Sequence, residues 1–144
     1  MSATAPLTGI TEESIALLID RFYTAIRRDP VLGPIFENAI AEDAWPKHLA
    51  TMRSFWSSVM LTSGRYSGNP VGVHRAVQGL ERPMFARWLA LFEATAADLC
   101  PPDEAALFAD KAHRIATSLQ LAVFHRLGAP PDGLPPRPAP QNRA

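Results

Sequence analysis

Four histidines are the first candidates for chemistry in this chain of 144 residues. His113 and His125 stand among charged residues of the last amphipathic stretch, and we expect both to lie at the surface. His48 and His74 have apolar neighbours, so each could face an interior space. A lone histidine is more often structural than a metal ligand, and no His-Glu-x-x-His motif or carboxylate cluster supports a zinc or di-iron site.

A haem group needs fewer protein ligands than a bare metal ion, because its four pyrrole nitrogens supply the equatorial plane. One histidine and a large slot with apolar and aromatic walls are sufficient. Tyr23 follows Phe22 in an apolar stripe, so its phenol must find a hydrogen-bond partner in the interior, and Trp88 carries another donor. Taken singly, each of these aromatic residues is better explained by ordinary core packing.

The elements that must position these residues are predicted to be helices. The first runs from Thr11, a plausible N-cap, to Arg28. Three further long helices are expected over about 43–62, 83–99 and 103–127. The apolar residues of the first helix recur at helical spacing and form one stripe: Ile15, Leu18, Ile19, Phe22, Tyr23 and Ile26.

Two segments between these helices are harder to assign. Pro30–Ile40 contains Gly33-Pro34, so a long helix is not expected there. Residues 63–72 are rich in Ser and Gly and are predicted to form a loop, followed by a short piece over 73–77. No strand pattern is visible. The chain is therefore predicted to be all-α, with two antiparallel helix pairs stacked across each other, and periodicity alone indicates no function.

Composition excludes several classes of partner and structure. Fourteen Lys and Arg balance fourteen Asp and Glu, so there is no electrostatic footprint for nucleic acid or for an anionic membrane. The single cysteine, Cys100, excludes an intrachain disulfide and a Cys-based zinc cluster. The first residues lack the pattern of a signal peptide, and no apolar run is long enough to span a membrane. We therefore expect a cytoplasmic protein.

Proline is abundant, with 14 residues, but it is unevenly distributed. Six prolines lie within the last 15 residues, a stretch with too few apolar side chains to order itself. The others fall between the amphipathic stretches. We expect an N-terminal extension over residues 1–10, a helical domain over 11–128 and a Pro-rich, flexible tail over 129–144.

Four blocks of sequence together resemble one family, the truncated haemoglobins, and within it group III. The similarity spans residues 10–127, and the order and spacing of the blocks both fit. The paired-glycine motifs of groups I and II are missing, which favours group III. The four blocks are Phe22-Tyr23, then Leu32–Ile40, then Trp45-Pro46-Lys47-His48 leading to Phe55-Trp56, and finally His74 followed by Pro83–Glu93.

The resemblance implies a globin-like two-over-two helical sandwich that holds haem b. It implies that His74 is the proximal ligand of the iron, with its other ring nitrogen donating to a backbone carbonyl. Tyr23, His48 and Trp88 would then form the distal side, where they would carry any catalysis. The Pro-rich tail and the loop over 77–82 depart from the family pattern.

The same resemblance implies the walls of the haem slot. Tyr66, Arg53 and Arg75 are candidates to meet the propionates. The apolar and aromatic lining would be formed by Phe22, Phe36, Met52, Phe55, Trp56, Phe85, Trp88 and Phe92.

The family resemblance leaves two classes of function open. Hydrogen bonds from Tyr23 and Trp88 would retain dioxygen, nitric oxide or another diatomic ligand, which suits chemistry on that ligand. Such an enzyme would oxidise nitric oxide or activate peroxide and would need an external reductase. The alternative is a reversible oxygen carrier or sensor. A remote third possibility is a helical interaction module without haem.

Overall fold

Six α-helices and one 3-10 turn follow each other in the computed structural model, which describes residues 9–124. Outside these residues lie the predicted tail, His125 and the end of the last predicted helix. Most of the predicted N-terminal extension lies outside them as well. Within the described range no strand is present and no helix is long and apolar enough to cross a membrane. The helices are α1 (Glu12–Arg28), α2 (Leu32–Ala39), α3 (Trp45–Leu61), α4 (Pro70–Arg75), α5 (Arg82–Leu99) and α6 (Pro102–Phe124), with the 3-10 turn at Glu42–Ala44.

Helix α1 begins as the sequence predicts. The hydroxyl of Thr11 accepts the N–H of Ser14 at 3.1 Å, and the hydroxyl of Ser14 accepts the N–H of Thr11 at 2.9 Å. This reciprocal pair satisfies two backbone donors that the first turn leaves without helical partners. All six residues of the predicted apolar stripe are buried, which confirms that face of α1 as core.

The helices pack as two crossed layers. Helix α1 packs against α2, α3 and α5, while α5 packs along α6 and α4 rests on α6. An aromatic column lies where the layers cross: Phe92 stacks between Trp56 and Trp88, and Phe22 meets Phe92 edge-on at 5.1 Å. The predicted all-α, two-over-two architecture is therefore confirmed.

Helix α2 is regular despite the Gly33-Pro34 pair in its first turn. Proline is tolerated there because the first N–H groups of a helix have no helical acceptor. Gly33 has a different role, since a Cβ at this position would lie 2.8 Å from the carbonyl oxygen of Arg27. The absence of a side chain lets α2 approach the end of α1 closely.

The predicted loop over 63–72 is wrong at its end, because Pro70, Val71 and Gly72 belong to helix α4. The side chain of Asn69 accepts the N–H of Gly72 at 3.0 Å, and Pro70 occupies the first turn. A capping residue followed by proline starts a helix, and this signal outweighs the glycines. Helix α4 also ends at Arg75, two residues earlier than expected, and α6 begins at Pro102 rather than being capped by Asp103.

Asp29 joins three helices at the end of α1. Its carboxylate accepts the backbone N–H groups of Val31 at 3.0 Å and Leu32 at 2.8 Å, which caps α2. It also accepts from Nε of Arg87 on α5 at 2.7 Å. The side chain is 7% exposed, and the hydrogen bond from Arg87 is the largest cause that lowers the pKa of Asp29 to about 2.

We expect Asp29→Asn to destabilise the fold by about 1 kcal/mol at neutral pH, because it removes a charge-assisted hydrogen bond. The pKa of Asp29 falls from 3.8 to about 2 on folding, so its contribution is complete above about pH 4 and is lost as the pH falls towards 2. Urea unfolding should therefore show a difference in stability between the variant and the unsubstituted protein that disappears on acidification. Asp110→Asn, in an exposed pair with Arg114 on α6, is the control, with an effect near zero. Equal stability of Asp29→Asn and the unsubstituted protein at pH 7 would show that the Asp29 carboxylate does not stabilise the fold.

Candidate functional site

Polar and aromatic rings from three helices converge beside the end of α1. Tyr23 is 4% exposed, and its ring lies 5.1 Å from that of His48 and 5.9 Å from that of Phe36, measured between ring centroids. Trp45 packs edge-on against His48 at 5.4 Å and lies 6.1 Å from Tyr23. The predicted distal residues Tyr23 and His48 are thus neighbours.

Two buried nitrogens in this group have no hydrogen-bond partner among the described residues: Nε1 of Trp45 and Nε2 of His48. Within residues 9–124 no hydrogen bond engages the Tyr23 hydroxyl either. Buried polar atoms are nearly always paired in folded proteins, so a cluster of unpaired ones indicates room for a polar partner. Burial also raises the pKa of Tyr23, which keeps its hydroxyl protonated and able to donate.

His48 is a neutral imidazole at neutral pH. Burial is the main cause that lowers its pKa, and an electrostatic interaction with His74 lowers it further. This interaction links His48 on α3, which packs on α1, with His74 on α4, which packs on α6. Each helix layer therefore contributes one of the two histidines.

The ring of His74 is oriented by its own helix. Its Nδ1 lies 2.7 Å from the carbonyl oxygen of Pro70, one turn earlier in α4. A carbonyl can only accept, so Nδ1 carries the proton and Nε2 keeps its lone pair for a metal. Among the described residues, no group of three His, Cys, Asp or Glu side chains could hold a bare metal ion. The donor set fits an iron whose other ligands come from a macrocycle.

The residues predicted to line the slot fall into two sets. Phe36, Met52, Phe55 and Trp88 are only half-buried, although they pack against the core, so their apolar surface is available to a further apolar group. Four others are buried: Phe22, Trp56, Phe85 and Phe92. Phe22, Trp56 and Phe92 belong to the aromatic column, and Phe85 lies 6.4 Å from His74.

The three residues predicted to meet the propionates have other partners in this structure. Arg53 forms an ion pair with Asp20 at 3.2 Å, and Arg75 donates to the carbonyl oxygen of Ala122 at 2.7 Å. The ring of Tyr66 packs edge-on against Phe55 at 5.1 Å. The propionate contacts remain a prediction. His113, predicted to be a surface residue, is exposed and hydrogen-bonds to Glu93.

Trp45 belongs to the group of rings beside Tyr23 and His48, although the apolar pattern of α3 predicts only an ordinary core position for it. Its spacing was the available signal, because a tryptophan three residues before His48 lies on the same face of a helix. Ser57 was missed as well. Its buried hydroxyl lies 2.7 Å from both Glu12 and Ser63, and this ties α1 and α3 to the segment that leads to α4.

Comparison with known proteins places this arrangement in a family. No family model matches the chain, but "Group 3 truncated hemoglobin ctb" of Campylobacter jejuni is 34% identical over 117 residues, which are 80% of this chain and 92% of that protein. The crystal structure of a group III truncated hemoglobin from Campylobacter jejuni superposes with a TM-score of 0.75 and 33% identity. That match covers 81% of this chain and 93% of the other. The similarity predicted from the four sequence blocks is thereby confirmed, and the chain belongs to the group III truncated haemoglobins.

Proposed function

We propose that this protein binds haem b between its two helix layers, with His74 as the protein ligand of the iron. Membership of a haemoglobin family implies haem binding, and the residues fit the group. The observation that carries the proposal is the orientation of His74, whose Nδ1 is engaged by Pro70 while Nε2 keeps its lone pair. When bound, the haem supplies an iron centre that takes diatomic ligands and exchanges electrons.

The distal residues of this chain select and retain such a ligand. The Tyr23 hydroxyl stays protonated because burial raises its pKa, so it is always a donor near neutral pH. Trp88 offers an indole N–H, and His48 is a neutral imidazole held beside Tyr23. Each hydrogen bond to a ligand is worth about 1 kcal/mol, which corresponds to several-fold slower release.

Strong retention favours chemistry on the ligand over its transport. We therefore propose that the protein oxidises nitric oxide with dioxygen, or activates peroxide, with electrons from an external reductase. Nitric oxide consumption should be measured with a reductase supplied. Repeated turnover supports an enzyme, and consumption that stops after one equivalent supports a reversible carrier or sensor.

Haem titration of the purified protein tests the proposal directly. We expect a Soret band that saturates at one haem per chain, and any haem that co-purifies with the protein should give the pyridine haemochrome of haem b. His113→Ala is the matched control, because it removes an exposed histidine that hydrogen-bonds only to Glu93 among the described residues and should leave the titration unchanged. Absence of the band after haem addition would contradict haem binding. The alternative of a helical interaction module without haem would then be favoured.

A further inference from the structure

Trp45 lies between a charged cluster at the surface and the polar residues of the distal side. Its side chain is buried, and the guanidinium carbon of Arg27 lies 4.4 Å from the centre of the indole ring. A cation at this distance from an aromatic face is attracted by the ring electrons. Other parts of the same ring contact His48 and Tyr23. One residue therefore connects the surface to the distal site.

The guanidinium of Arg27 is held in place by two carboxylates. Nε donates to Glu37 of α2 at 2.8 Å, and Nη2 donates to Glu42 of the 3-10 turn at 2.7 Å. We call these three charged side chains the clamp. They are carried by α1, α2 and the 3-10 turn, and Arg27 lies over the indole ring. The clamp is partly exposed, since the side chain of Glu42 is 79% accessible and that of Arg27 is 33% accessible. Ion pairs with this exposure weaken as salt is added.

The first turn of α3 has no capping side chain. Its N-cap residue is Ala44, and no acidic residue follows in the first turn. Pro46 favours this helix start, and the contacts of the Trp45 ring with Arg27, Tyr23 and His48 hold it further. Trp45 is the first residue of α3, and His48 lies one turn later on the same face. The orientation of His48 therefore depends on how firmly Trp45 is held.

We propose that Trp45 is a positioning residue for the distal side, and that the clamp formed by Arg27, Glu37 and Glu42 acts through it to keep His48 turned inward. The inward position is the one seen, with Nε2 of His48 buried beside Tyr23. We expect the inward ring of His48 to hinder the entry of a ligand, and loosening of the clamp to make entry easier. The proposal rests on the proposed haem function, so its test includes a measurement on the haem-free protein.

Carbon monoxide is the probe of choice, because it has no charge. Its encounter with the protein is not steered by electrostatics, so any salt dependence of its association rate comes from charges within the protein. Flash photolysis of the haem-loaded protein should show association that is about two- to fivefold faster at high salt than at low salt. Arg27→Gln should bind as fast at low salt as the unsubstituted protein does at high salt. Glu42→Gln, which leaves the pair with Glu37 intact, should lie between them.

Arg21→Gln is the matched control. It removes the same charge from the same helix, where Arg21 forms a weaker, exposed pair with Asp98 at 3.5 Å, and it should keep the rate and the salt dependence of the unsubstituted protein. A rate that does not change with salt, or an equal effect of Arg21→Gln and Arg27→Gln, would overturn the proposal.

The haem-free protein gives an independent answer. Hydrogen exchange of the Trp45 indole N–H, followed by NMR, should be several-fold faster in Arg27→Gln than in Arg21→Gln, because the loosened turn admits water. Equal exchange in the two variants counts against the clamp even if haem binding itself fails. Failure of the titration with a clear difference in exchange would instead overturn the haem proposal alone.

Discussion

Replacing His74 with alanine is expected to weaken haem binding by more than about a hundredfold. Loss of an outer-shell partner of a metal ligand alone costs about 10- to 100-fold in affinity, and here the ligand itself is removed. Alanine keeps the helix propensity of the short helix α4, so the backbone that carries the site is preserved. Haem transfer to an acceptor protein, followed by the decay of the Soret band, measures the effect.

Two controls separate ligation from folding. Added imidazole should restore the ligand field of the His74→Ala variant, because the missing group is then supplied from solution. His113→Ala should retain haem fully, since that side chain is exposed on α6. An unchanged spectrum and affinity in His74→Ala would remove this residue from the site, and the buried, unpaired Nε2 of His48 would become the first alternative ligand.

Replacing Tyr23 with phenylalanine is expected to speed dioxygen release by about five- to tenfold, which corresponds to one lost hydrogen bond of about 1–1.4 kcal/mol. Phenylalanine keeps the ring that packs against Phe22, Phe36 and His48, so only the hydroxyl is lost. Stopped-flow displacement of dioxygen by carbon monoxide measures the release rate.

The stability of the haem-free protein distinguishes a ligand-binding hydroxyl from a structural one. The Tyr23 hydroxyl has no partner within residues 9–124, so its removal should leave the free energy of unfolding unchanged or slightly raised. Thr24→Val is the control, because it removes the neighbouring hydroxyl, which is exposed and donates to the carbonyl oxygen of Asp20. If Tyr23→Phe released dioxygen at the unsubstituted rate, Trp88 would be left as the donor.

The sequence predicts what depends on local pattern. The Thr11 cap and the six buried residues of α1 follow from spacing and from the chemistry of one hydroxyl, and both are confirmed. The start of helix α4 is predicted wrongly because the glycines of residues 63–72 indicate a loop, whereas Asn69 and Pro70 start the helix. The helix tolerates Pro70 because a proline in the first turn removes no helical hydrogen bond.

Candidate residues for the site could be named from the sequence, but the unpaired atoms among them could not. Tyr23, His48 and His74 were named from the sequence, and the structure packs Tyr23 against His48, which interacts electrostatically with His74. The role of Trp45 depends on contacts with Arg27 and with the 3-10 turn, which come from other elements. No periodicity in α3 itself shows that an indole nitrogen will be buried without a partner.

The two histidines belong to different helix layers. His48 lies on α3, which packs against α1, and His74 lies on α4, which packs against α6. A haem held between them would therefore crosslink the layers without a covalent bond between them. The stability that it adds would grow with the logarithm of free haem concentration, because only the assembled layers present both faces. In a cell, the lifetime of the folded chain would then follow the supply of haem, and molecules without haem would be the first to be degraded.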